Sequence, residues 1–258
     1  MIKIYGLVGK NIFYSFSKKF FEKKFKKEKR KNTIYSLYDI KNLSFLKKIL
    51  NNNSNLLGFN VTIPYKEKIM NKIHYINKKL LKIGSINTVK IINDKTIGYN
   101  TDIYGFEKSF KKNLKFCHKK ALILGTGGVS KSIMYVLTKL GIKYLFVSRK
   151  KKEKNCISYS EISKELIYNY NIIINCTPVG TFPNINECPN IPYKFLSKNH
   201  YLYDLVYNPK ETLFLKKGKK KGCVVQNGIK MLFLQANLSW KIWNNFKIDY
   251  FDYFDYYL

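Results

Sequence analysis

The sequence predicts an α/β fold, and three observations carry that expectation. Strand-like apolar runs alternate along the chain with stretches whose apolar residues recur at helical spacing. The first run, Ile2 to Gly9, ends in glycine, and a later one, Ala121 to Leu124, leads through Gly125-Thr126-Gly127-Gly128 into an apolar-periodic segment. The third observation is the unbroken Ile172-Ile-Ile174, the composition of a strand buried on both faces of a parallel sheet. With 258 residues, 45% of them apolar, the chain has material for one large domain or two smaller ones.

From the N-terminus, the strand ending at Gly9 is followed by Ser15 and Ser17 and then by Phe20, Phe21 and Phe25 at helical spacing. The serines therefore stand at a helix entrance. Their hydroxyls and the first-turn amides suit a carboxylate, although a serine there serves equally well as an N-cap. The basic run from Lys18 to Lys31 reads as a solvated helix face and loop. Next comes Gly58-Phe-Asn-Val-Thr-Ile-Pro-Tyr-Lys66, in which Asn60 and Thr62 alternate with Val61 and Ile63. That pattern predicts a strand with one polar face, stopped by Pro64, with Lys66 delivered just beyond. Asn87, in Ile83-Gly-Ser-Ile-Asn-Thr-Val89, and Asp102, in Gly98-Tyr-Asn-Thr-Asp102, each stand beside glycine and β-branched residues, as at strand ends or turns. Asp102 also reads as an ordinary turn-forming residue.

The second half opens with strand, glycine turn and helix: Lys119 to Leu124, Gly125 to Val129, and a periodic segment through Leu140 that stops at Gly141. Gly125 permits the tight turn. Gly127 lets a pyrophosphate approach the helix N-terminus, Gly128 and Val129 continue the cradle, and Ser130 is small enough for close helix packing. The next strand, Lys143 to Val147, ends in Ser148-Arg149-Lys150, where a site for NAD would carry an acidic residue for the ribose hydroxyls. A guanidinium grips a 2′-phosphate, so this end favours NADP. Arg149 is one of only two arginines, with Arg30, which makes its placement informative. Glu153 follows, an acidic side chain that weakens such a grip unless Lys152 or Lys154 offsets it. Tyr170 to Asn175 and Tyr201 to Asp204 read as further buried strands, leading to Thr177 and to Leu205-Val-Tyr207. Gln226-Asn-Gly228 then leads into a helix bearing Met231 and Gln235 on one face, with Met231 suited to plain core packing.

These segments together, from residue 5 to about 240, resemble the shikimate dehydrogenase family. The resemblance implies two domains with a cleft between them. Residues 1–100, completed by C-terminal helices over 228–258, would form an α/β substrate domain, and residues 101–227 a Rossmann-like NADP domain. It implies reversible NADPH-dependent reduction of 3-dehydroshikimate to shikimate. Lys66 and Asp102 would be the acid/base pair, lying side by side. Ser15 and Ser17 would hold the substrate carboxylate, with Thr62, Asn87, Asp102, Tyr207 and Gln235 as ring contacts. NADP would be bound by Gly125, Thr126, Gly127, Gly128, Val129, Ser148, Arg149, Lys150, Thr177, Leu205 and Gly228. No metal is expected. Two departures from the family pattern, Ser85 for alanine and Ile103 for glycine, stand beside key side chains.

The formal charge of +32 would by itself suggest nucleic acid. The lysines are spread through nearly every segment instead of forming one face, so the expected partner is a small molecule, with no specific nucleic acid and no membrane. A homodimer is the assembly the reading allows. Two alternatives remain open: a quinate/shikimate dehydrogenase paralogue using NAD, and a basic RNA-associated protein on a dehydrogenase fold. Five cysteines without Cys-x-x-Cys pairs or histidine partners at zinc spacing read as free thiols, and with no apolar run of membrane length the expected location is cytoplasmic. The aromatic tail from Tyr250 to Leu258 is expected to pack on the body or a partner.

Overall fold

The computed structural model describes residues 1–13, 15–150 and 155–245. Glu153 with its flanking lysines and the aromatic tail, both named above, lie outside these residues. The described residues divide into two compact units, 1–101 with 236–245, and Asp102–Gln235.

In the first unit a five-stranded sheet is built from β1 (Lys3–Gly9), β2 (Thr33–Asp39), β3 (Leu56–Val61), β4 (Thr88–Ile92) and β5 (Lys95–Tyr99), in the order β2-β1-β3-β4-β5. β1 runs parallel to β2 and β3, and the last three strands form an antiparallel meander. Helices α1 (Phe16–Lys27), α2 (Phe45–Asn52) and α3 (Lys78–Ile83) connect the strands. α1 buries Phe21 and Phe25 and leaves most of its lysines in solvent, as the amphipathic spacing requires. Phe21 stacks on Tyr35 with ring centroids 4.5 Å apart, and Phe25 meets Trp240 at 5.2 Å. Trp240 and Trp243 come from the last turns of α8 (Ile229–Trp243). Gly58 is required here, because a Cβ would stand 2.4 Å from the Trp243 ring, whose Nε1 donates to the Val89 carbonyl at 2.9 Å.

The second unit holds a six-stranded, wholly parallel sheet of β6 (Lys120–Leu124), β7 (Lys143–Val147), β8 (Cys156–Ile157), β9 (Ile172–Asn175), β10 (Tyr201–Asp204) and β11 (Val224–Gln226). Its order is β11-β10-β9-β6-β7-β8. Counted from β6, that is 3-2-1-4-5-6 with β6 and β9 at its centre, and the strand order reverses there, the position where open α/β sheets bind ligands. Helices α4 (Asp102–Phe110), α5 (Gly128–Lys139), α6 (Lys164–Asn169) and α7 (Leu213–Lys220) complete the unit. Phe106 and Phe110 of α4 cover Tyr201 and Tyr203 on one face, with Ser109 Oγ and Tyr203 OH 2.7 Å apart. On the other face Leu122, Ile173 and Leu202 pack with Ile167 of α6 and Phe214 of α7. Burial on both faces accounts for the continuous apolar runs of β6 and β9.

Candidate functional site

In the first unit the sequence-singled residues gather at one end of the sheet. Ser15 follows β1 and is the N-cap of α1, its Oγ accepting from Ser17 N at 3.2 Å, while the Ser17 side chain bonds Tyr35. β3 ends at Val61, earlier than Pro64 as expected from the sequence. Ile63 is consequently 61% exposed and does not share the apolar face with Val61. Thr62 N donates to the Val8 carbonyl at 3.0 Å, and a Cβ on Gly9 would stand 2.5 Å from Thr62 Cγ2, so the strand ends after β1 and β3 are in contact. Lys66 is half-buried, and its carbonyl accepts from Ile86 N at 2.8 Å, which places it beside the turn that carries Asn87. That turn leaves α3 through Gly84, whose φ of 73° favours glycine.

Asn87 is buried and held from both sides: its Oδ1 accepts from Thr101 N at 2.7 Å and its Nδ2 donates to Thr101 Oγ1 at 2.9 Å. Asn60, which the sequence places on a polar strand face, is 5% exposed. Its Nδ2 lies within 3.2 Å of the Asn87 carbonyl, Thr88 Oγ1 and Ser239 Oγ, and its Oδ1 accepts from Tyr35 OH at 2.9 Å. Sequence reasoning missed Thr88 and Ser239, which have no local signature. Ser239 is a single hydroxyl in an apolar helix, visible only once α8 is laid on the sheet. Thr101 closes the first unit, and Asp102 opens α4 in the second, 4% exposed in the helix's first turn.

In the second unit the candidates occupy the C-terminal ends of successive parallel strands. Gly125 follows β6 with φ of 100°, and Gly127 is the N-cap of α5, whose first residue is Gly128. A Cβ on Gly125 would lie 3.0 Å from Thr177 Cγ2 after β9, while one on Gly127 would meet nothing within 4 Å. Packing therefore does not require glycine at 127. The residue instead leaves room for a ligand to approach the amides of α5, including those of Gly128 and Val129, and that cradle fits a pyrophosphate. Thr126 is half-buried within the same turn. After β7, Ser148 Oγ accepts from Lys150 N at 3.3 Å, and Arg149 and Lys150 are exposed, available to an anionic group. Leu205 follows β10, and a Cβ on Gly228 would stand 2.1 Å from the Leu205 carbonyl oxygen, so only glycine permits this contact. Tyr207 is half-buried on the same segment. Gln235 lies on α8 where it crosses α4: a Cβ on Gly105 would be 2.7 Å from the Met231 carbonyl and 3.2 Å from Gln235 Cβ. Met231, 6% exposed, is core packing there.

A buried cluster that sequence reasoning did not identify joins these loops. Asp204, fully buried at the end of β10, accepts from Asn175 Nδ2 at 2.9 Å, Val206 N at 3.0 Å and Thr212 Oγ1 at 2.6 Å. Burial pushes its carboxyl up to about 6 against the pull of those three donors. The signal was present in Asn175-Cys-Thr-Pro and Asp204-Leu-Val-Tyr-Asn-Pro, but only the pairing of β9 with β10 sets the two polar residues opposite each other. A separate cavity of about 650 Å³, lined by Lys112, Gln226 and Lys230 among others, contains none of the sequence-predicted site residues. Among the described residues no cluster of His, Cys, Asp and Glu could hold a metal, and no helix is long and apolar enough to cross a membrane.

These features define an α/β protein of the dinucleotide-binding class. The family model for the shikimate dehydrogenase substrate binding domain matches residues 7–89. A shikimate dehydrogenase (NADP(+)) of Methanococcus vannielii is 38% identical over 265 residues, covering 95% of this chain and 92% of the relative. One from Clostridium botulinum is 39% identical over 252 residues, covering 92% and 95%. The chain belongs to the shikimate dehydrogenase family. Among solved structures, shikimate dehydrogenase 1 from Peptoclostridium difficile superposes with a TM-score of 0.84 at 35% identity, covering 96% of this chain and 94% of that one. A shikimate dehydrogenase solved in complex with NADP+ gives 0.79 at 30% identity, with 95% and 90% covered.

Proposed function

We propose that this chain catalyses the reversible NADPH-dependent reduction of 3-dehydroshikimate to shikimate. The observation that carries the reading is similarity over nearly the full length of both chains to relatives named for that activity and that cofactor. We assign substrate binding mainly to residues 1–100 with the C-terminal helical residues from 228, and cofactor binding mainly to residues 101–227, from which Asp102 and Tyr207 also serve the substrate.

Bound NADPH supplies the hydride that reduces the ring ketone. The chain's own groups manage the rest. Lys66 donates the proton taken up by the nascent alkoxide and accepts it in reverse, and Asp102 is the second member of the acid/base pair and takes a ring hydroxyl. Ser15 and Ser17 hold the carboxylate at the entrance of α1, where the helix amides add to the attraction. Thr62, Asn87, Tyr207 and Gln235 fix the ring. Gly125 to Val129 hold the pyrophosphate, Ser148, Arg149 and Lys150 the 2′-phosphate, and Thr177, Leu205 and Gly228 the nicotinamide end. Five free thiols suit a reducing compartment, and we place the protein in the cytoplasm. The homodimer is tested by sedimentation.

The deciding experiment is NADP+ reduction followed by absorbance with shikimate, with quinate and NAD+ as parallel controls. Activity confined to shikimate with NADP+ supports the whole reading. Comparable rates with quinate or NAD+ move the chain to a paralogous activity, and silence from folded protein overturns it.

A further inference from the structure

We infer that Asp204 is a positioning residue for the nicotinamide cofactor, acting through the loops it ties together. The inference rests on the cofactor-binding reading above. Asp204 touches none of the residues proposed to contact NADP side chain to side chain, yet two of them, Thr177 and Gly228, are tied to its carboxylate through one intervening residue. Through Oδ1 it fixes Asn175, whose own Oδ1 accepts from Thr177 N at 3.1 Å and Thr177 Oγ1 at 2.6 Å. Thr177 in turn lies against the Gly125 turn. The same Oδ1 takes the amide of Val206, whose carbonyl accepts from Gly228 N at 3.2 Å, and Leu205 N donates to the Asn175 carbonyl at 3.0 Å. Oδ2 holds Thr212, the N-cap of α7, whose hydroxyl accepts from Leu215 N at 3.4 Å.

One fully buried group thus sets the relative position of the loops after β9 and β10, and through Gly228 the start of α8. A carboxylate makes charge-assisted bonds to all three donors. An amide of the same shape keeps neutral bonds from Asn175 and Val206 at its oxygen and forces the Thr212 hydroxyl to accept instead of donate. The titratable groups facing Asp204 are Cys176, Tyr193 and Tyr203, all of which burial pushes up towards the neutral form, so none of them supplies a cation to neutralise the carboxylate. Burying an anion among neutral donors is unfavourable for folding, which favours a positioning role over a purely structural one.

The test is NADPH binding by fluorescence titration, which needs no turnover. Wild type is compared with Asp204→Asn, Thr212→Val and Thr212→Ser, each held well below its own melting temperature. Replacing charge-assisted bonds by neutral ones is expected to weaken NADPH binding by about fivefold in Asp204→Asn. Thr212→Val is expected to weaken it as well, and Thr212→Ser, which keeps the hydroxyl, to bind as wild type does. Asp204→Asn that binds NADPH as tightly as wild type overturns the inference, even if it melts at a lower temperature, because the network is then structural only. If Asp204→Asn does not fold, the Thr212 pair decides: equal affinity in Val and Ser overturns the inference, and loss confined to Val supports it. Wild type that does not bind NADPH overturns the functional reading itself, an outcome distinct from the other two.

Discussion

In the first unit the buried polar groups at the candidate site are neutral, the amides and hydroxyls of Asn60, Asn87, Thr88, Thr101 and Ser239. In the second, Asn175, the Val206 amide and Thr212 converge on a carboxylate, Asp204. Amides and hydroxyls donate and accept at once, so the first network closes on itself and holds its geometry at any ordinary pH. A carboxylate only accepts, so the second network stores its order in a charge that burial opposes. Neutral networks make rigid walls. A network built on one titratable group couples loop position to ionisation.

The largest effect that sharpens this division is on turnover. Lys66→Ala is expected to lower kcat by about 10² to 10⁴, the range for removing a positioned proton donor, with NADPH affinity unchanged. Steady-state rates and NADPH titration on one preparation check it. Near-normal turnover would remove Lys66 from the acid/base role, and a parallel loss of NADPH affinity would break the separation of chemistry from cofactor binding.

Next in size are the two networks themselves. Asn60→Ala removes the acceptor of the Tyr35 hydroxyl, leaving it Ser17, and a donor to Thr88 and Ser239, so a loss of about 2 kcal/mol is expected, the same at pH 5 and pH 8. Asp204 behaves differently. Its folded-state pKa is raised from 3.8 to about 6, so its favourable contribution is fully present below 3.8 and is lost as pH rises through 6. A rise of that size corresponds to about 3 kcal/mol across that window. Urea melts of wild type and Asp204→Asn at intervals from pH 4 to 7 should therefore show the variant gaining on wild type as pH rises, with no such trend for Asn60→Ala. Parallel curves would mean that the carboxyl titrates in the fold as it does in the unfolded chain.

What was legible in the sequence follows the range of the forces involved. The glycine turn at Gly125, the strand before it and the helix after it are local, and they stand where the pattern placed them. So does the solvated lysine face of α1. Asn60 was legible as a polar residue in a strand but not as a network hub, because Tyr35 and Ser239, which satisfy it, are 25 and 179 residues away. The end of β3 was misjudged for a related reason. Alternation continues through Thr62 and Ile63, but the ladder stops at Val61, whose amide already bonds the carbonyl of Asn87 across the sheet.

Two glycines separate ligand requirement from packing requirement, with a smaller expected effect on stability. Gly228→Ala drives a Cβ to 2.1 Å from the Leu205 carbonyl oxygen, so about 2 kcal/mol of stability should be lost together with NADPH affinity. Gly127→Ala meets no atom within 4 Å, and its φ of −80° suits alanine, so stability should change by less than about 1 kcal/mol while NADPH affinity falls. Gly127→Ala with full affinity would show that the open space before α5 is not used by the nucleotide.

The smallest effect concerns Ser85, whose side chain is fully buried in the first unit. Its Oγ finds no hydrogen-bond partner among the described residues, although its carbonyl accepts from Asn100 Nδ2 at 2.8 Å. A buried hydroxyl without a partner forfeits its hydration, so Ser85→Ala should stabilise the first unit by about 1 kcal/mol and leave the Asn100 contact intact. The hydroxyl stands two residues before Asn87, in the turn that sets that side chain. If it takes no part in the network, the variant should melt higher with unchanged affinity for shikimate. A lower melting point would show that Ser85 belongs to the network, and would extend the neutral wall by one residue towards Lys66.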